Sequence, residues 1–148
     1  LNPSSAASDV YKRQLLQNIH ILTNGSLWTE SLWKKLHKIH RYVKTAEISI
    51  DAATQYTYEN KTRLGGVWSK LLDNLQFITT INTVKTFTFS FVTQDTNFRE
   101  MDKFVDLFES FNNLKDKRYK VFFNHITNWG VHSQKKNINV RILVTQIM

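Results

Sequence analysis

Between Thr86 and Val92 the chain alternates with almost no error: Phe87, Phe89 and Phe91 fall on one side of an extended chain, and Thr86, Thr88 and Ser90 on the other. A period of two is the signature of a β-strand with two different faces. Weaker versions of the pattern predict strands over residues 19–23, 46–50 and 119–125. Between them the period lengthens. Thr29 is placed to cap a helix whose apolar positions Leu32, Trp33, Leu36, Ile39 and Val43 recur at helical spacing, with Lys34, Lys35, Lys38 and Arg41 on its solvated side. A second helix is predicted over 67–81, burying Trp68, Leu71, Leu72, Leu75 and Ile78. A third runs from the cap Asn97 to about residue 113, with the stripe Phe98, Met101, Phe104, Val105 and Phe108 and with Glu100 placed to answer the cap.

Strict strand–helix alternation with helices of this length argues for a parallel sheet built by right-handed crossovers. Glu47, Ser49 and Asp51 in the second strand, like Thr86, Thr88 and Ser90 in the third, give the sheet a polar face. Parallel sheets normally have both faces covered, so the pattern favours an open barrel with a polar lumen over a solvated sheet. Ligands of such folds sit beyond the carboxyl ends of the strands. Those ends carry Asn24-Gly25, Asp51 with Thr54, Gln94 with Asp95, and Asn128-Trp129-Gly130.

The chain of 148 residues, 41% hydrophobic with ten Phe and four Trp, is long enough for one modest core but too short for a closed barrel of about 200 residues or more. It has no cysteine, which excludes disulfides, thiolate metal sites and thiol nucleophiles. No apolar run approaches the roughly 20 residues that cross a bilayer, and a cytoplasmic protein without a membrane partner is expected. Residues 1–14 lack any period that would bury a face. Their run SSAASDVYKRQ resembles translated sequencing-adapter tails, so an extraneous or disordered leader is expected there. Residues 15–133 form the expected domain, and 134–148 an unassigned tail.

The stretch EISIDAATQYTYENKTRLGGVWSKLLDNLQFI contains Ser49-x-Asp51 at the end of a strand, then Arg63-x-Gly65-Gly66 in the turn before a helix. It resembles the later half of the core domain of radical S-adenosylmethionine enzymes, in the subgroup with a cysteine-rich, SPASM-type C-terminal extension. Thr23-Asn24-Gly25 is similar to the end of that family's third strand. SFVTQDTNFREMDKFVDLF, with Gln94, Asn97 and Glu100, is similar to its fifth strand and helix, and HITNWGVHS to its sixth strand and loop. The resemblance covers about residues 19–133. It implies a partial, open (β/α) TIM-like barrel with parallel strands. It also implies S-adenosylmethionine contacts at Ser49, Asp51, Arg63, Gln94 and Asn128, with Ser49 and Arg63 near the amino-acid end of the cofactor and Asn128 and Trp129 flanking the nucleoside or substrate. The parent enzyme would cleave S-adenosylmethionine reductively at a 4Fe–4S cluster, generating a 5′-deoxyadenosyl radical that abstracts hydrogen from a substrate such as a peptide or protein.

Three departures from that family matter. The cluster-binding cysteines, expected upstream of Ile19, are missing, no cysteine cluster follows Ser133, and 134–148 does not resemble the family. The resemblance therefore implies an inactive fragment of a radical enzyme that keeps part of the cofactor pocket, with no catalytic or metal-binding residue of its own. Two other classes stay open. The net charge of +8 admits a basic α/β module that binds nucleic acid through the Lys34–Lys44 segment, although the chain's richness in Lys and Asn makes that partner the less favoured one. Glu47 and Asp51 admit carboxylate chemistry in another (β/α) barrel. His37 and His40 stand three apart without a third metal ligand at useful spacing, and His125 is the better placed histidine for proton transfer or a substrate contact.

Overall fold

The computed structural model of the chain describes residues 18–111 and 118–125. Four strands, β1 (Ile19–Thr23), β2 (Val43–Ser49), β3 (Thr86–Thr93) and β4 (Tyr119–His125), form one sheet in the order β1-β2-β3-β4, every neighbouring pair parallel. Among the described residues, three helices longer than one turn lie in the connections: α1 (Glu30–Lys35), α2 (Trp68–Thr79) and α3 (Met101–Phe111). The protein is thus a mixed α/β structure whose strands are adjacent in the order in which they are made.

The Phe-bearing face of the sheet is the core. Phe87, Phe89 and Phe91 are buried, and α3 covers them with Phe108 stacked on Phe89 at 4.0 Å and Phe104 edge-on to Phe91 at 4.9 Å. Leu71, Leu75 and Ile78 of α2 join the same core, with Trp68 and Leu72 packed at its margin. Trp28 lies 5.5 Å from Trp33 of α1 and 6.2 Å from Phe87, so α1 belongs to this face as well. The opposite face carries rows fixed by register: Leu22, Glu47, Thr88 and Lys120 in one, Ser49, Ser90 and Phe122 in the next. Its polarity is as expected, with Glu47, Ser49 and Thr88 half-buried and Ser90 buried.

Four local expectations need correction. Helix α1 stops at Lys35 instead of running to Val43. The His40 ring stacks on Trp33 at 4.0 Å and donates Nε2–H to the Trp33 carbonyl at 2.7 Å, which takes an acceptor that a continuing helix would use. Val43 then opens β2, three residues before the expected start, opposite Ile19. A register shift between Ile19 and His20 lets both Val43 and Ala46 face the core although they are three apart. Third, residues 55–62, between the strand end and the Arg63–Gly66 turn, where no helix was expected, form a helical turn at Gln55–Thr57 running into a π-turn at Tyr58–Thr62. Finally, the segment after Asn97 begins as a 3-10 turn (Phe98–Glu100), and Phe98 is 41% exposed and so drops out of the apolar stripe.

Candidate functional site

The polar residues gather beyond the carboxyl ends of β2 and β3. After Ser49 the chain makes one more sheet bond, Ile50 N–H to the Ser90 carbonyl at 3.0 Å, and then turns at Asp51 with φ 64°. A left-handed aspartate costs about 1 kcal/mol or more unless its surroundings hold it. Here they do. Asn97, 1% exposed, donates Nδ2–H to the carbonyls of Asp51 and Val92, both at 2.9 Å, and its Oδ1 accepts from Gln94 N–H at 2.8 Å. The Asp51 side chain also reaches across, its Oδ1 accepting from Val92 N–H at 2.7 Å. Asn97 is therefore no simple helix cap, because its side chain joins the ends of two strands.

Arg63 closes the site. Its Nη2 donates to the Ser49 carbonyl at 3.1 Å and to Ser49 Oγ at 2.9 Å, and meets Asp51 Oδ2 at 2.5 Å, while Ser49 Oγ lies 3.3 and 3.2 Å from the two Asp51 oxygens. The Asp51 side chain is 10% exposed and that of Arg63 30%, so this ion pair sits at the mouth of the rim. Arg63 Nε–H is buried without a hydrogen-bond partner. The turn that carries Arg63 is built by two glycines. Gly65 has φ +81°, and a Cβ on Gly66 would lie 2.5 Å from Tyr58 Cε1 and 2.8 Å from the Arg63 carbonyl. Burial of Tyr58 raises its phenol above the usual value, against the opposing effect of the nearby Arg63 charge.

A second carboxylate braces the loop. Glu100 accepts from Ala53 N–H at 2.9 Å, Thr54 Oγ at 2.7 Å and Thr57 Oγ at 2.6 Å. Partial burial pushes its carboxyl up, but the donors from Thr57, Thr54 and Ala53 together outweigh that and hold it below the usual carboxylate value. Glu59 does similar work for α2, which lacks a side-chain cap at Val67. Its Oε1 accepts Trp68 N–H at 2.8 Å, the main cause of its lowered pKa, with a further bond from Gln55.

Ser49, Asp51 and Arg63 are thus brought into direct contact. Gln94 is at the same rim but enters through its backbone, as the donor to Asn97. Asn128 and Trp129 lie outside the described residues, as do the expected leader and tail. His125 ends β4 opposite Thr93, and His40 is engaged with Trp33. Among the described residues no three His, Asp or Glu side chains gather as a metal site, and no helix is long and apolar enough to cross a membrane. Sequence reasoning placed Asn97 and Glu100 as capping residues and as matching positions in the resemblance to a fifth strand and helix, but did not foresee their bonds to the β2 end and the loop after it. Their bonds span 46 positions of sequence, for which no local pattern exists. No protein family, curated protein or solved structure matches the chain.

Proposed function

We propose that the rim beyond β2 and β3 binds the amino-acid end of S-adenosylmethionine, as part of an open (β/α) barrel section from a radical S-adenosylmethionine enzyme acting on a substrate such as a peptide or protein. The observation that carries this reading is the Arg63 guanidinium, anchored on Ser49 at the carboxyl end of a parallel strand and still partly exposed. Guanidinium donors in such a position suit a carboxylate, which takes two parallel N–H bonds from one edge. Four parallel strands laid down in sequence order, with their helices on one face, support the barrel section.

S-adenosylmethionine supplies radical chemistry when it is bound beside a reduced iron–sulfur cluster. The residues of this chain do not fit the cluster, since none of its 148 residues is a cysteine. What this chain contributes is binding. Arg63 holds the carboxylate and Ser49 fixes Arg63, while Asp51 pairs with Arg63 in the ligand-free chain. Isothermal titration with S-adenosylmethionine tests the proposal. Saturable binding is expected for the native chain, weakened at least about tenfold in Arg63→Ala, since charge-assisted bonds of this kind are worth more than neutral ones. Equal affinity in the two proteins, with unchanged circular dichroism, refutes it.

A further inference from the structure

From the way the three side chains share their bonds, we infer that Asp51 is a resident competitor for Arg63, a carboxylate that a ligand's carboxylate must displace. The inference rests on the proposed reading of this rim as a carboxylate site. Arg63 Nη2 has two N–H groups but faces three acceptors, the Ser49 carbonyl, Ser49 Oγ and Asp51 Oδ2. Meanwhile its Nε–H is buried with no partner. The guanidinium is therefore overcommitted at one nitrogen and unused at another. Asp51 takes one of its bonds where an unconstrained carboxylate takes two. Asp51 gives Arg63 no second bond, because its Oδ1 is held by Val92 N–H and its carbonyl by Asn97.

Release of Asp51 leaves the rest in place. Two of the three acceptors of Nη2 belong to Ser49, so Arg63 stays anchored when the Asp51 contact opens. An incoming carboxylate then engages the guanidinium, and the ligand's intrinsic affinity is reduced by the Asp51 contact it replaces. Removing the Asp51 charge accordingly tightens binding, the opposite of what a direct ligand contact would show. Two substitutions remove the charge, and only the first keeps the bond to Val92. Asp51→Asn keeps an acceptor for Val92 N–H, and Asp51→Gly relieves the positive φ while deleting the carboxylate.

The experiment titrates the native chain and both variants with S-adenosylmethionine, decarboxylated S-adenosylmethionine and acetate, following heat and the NMR signal of Arg63 Nε–H. The expected result is at least about fivefold tighter binding of S-adenosylmethionine and acetate in both variants, with the decarboxylated compound changed less than about twofold, because only a carboxylate competes for the fork. If S-adenosylmethionine binds the native chain and the variants bind it equally or more weakly, the competitor role is overturned and the proposed function stands. Acetate tightened in the variants, with no S-adenosylmethionine binding to any of the three proteins, overturns the cofactor reading and keeps the competitor. Absence of any carboxylate binding overturns both.

Discussion

Glu100 gives the sharpest test of how the rim is held. Glu100→Ala removes one acceptor from Ala53 N–H and from two threonine hydroxyls. Ala53 and Thr54 are half-buried, so water replaces much of what they lose, whereas Thr57 is 5% exposed and its hydroxyl is stranded. An orphaned buried donor costs about 1–3 kcal/mol, and the two wetter bonds add about 1 kcal/mol together, for a total loss of about 2–4 kcal/mol at neutral pH. Glu100→Gln costs less, about 1 kcal/mol, since its amide oxygen serves Ala53 N–H while the hydroxyls rotate to accept from its NH2. Acid provides the control. A carboxyl whose folded pKa is lowered stabilises the fold fully above its unfolded pKa, about 4.3, and loses that contribution as the pH falls through the lower folded value. Urea unfolding followed by tryptophan fluorescence, with Trp28 and Trp33 buried as reporters, measures the gap between native chain and Glu100→Ala. It is expected to be constant above about pH 5 and to narrow below about pH 4.3. A gap under about 1 kcal/mol at pH 7, or one that does not shrink in acid, refutes the reasoning.

Two further substitutions probe the frame around the site. Gly66→Ala forces its Cβ onto Tyr58 and the Arg63 carbonyl and is expected to destabilise by about 1–3 kcal/mol, read as a lower urea midpoint. Phe91→Ala empties a fully buried position between Phe104 and Phe123, with an expected cost of about 3–5 kcal/mol in the same assay.

The parts of the fold that sequence revealed are those with a local period. The β3 alternation, the α2 stripe and the strand over 119–125 were legible because each depends on burying one face of one element. The end of α1 was not, because it is decided by the His40 ring on Trp33, a contact between side chains seven residues apart. At the site, Ser49, Asp51 and Arg63 were legible through a motif, and Gln94 through its position at a strand end. The work of Asn97 and Glu100 was hidden because a capping sequence is equally compatible with a tertiary clasp.

The strand order has a kinetic meaning. Each strand pairs with the one made just before it, so every new β-strand meets a finished partner and closes a loop of only one connection. Assembly can therefore proceed as a zipper, unit upon unit, as in proteins built from stacked repeats. The same property makes the growing end of the sheet a template at every stage: whichever strand arrives next, from this chain or from another, finds an open row of backbone donors and acceptors ready to receive it.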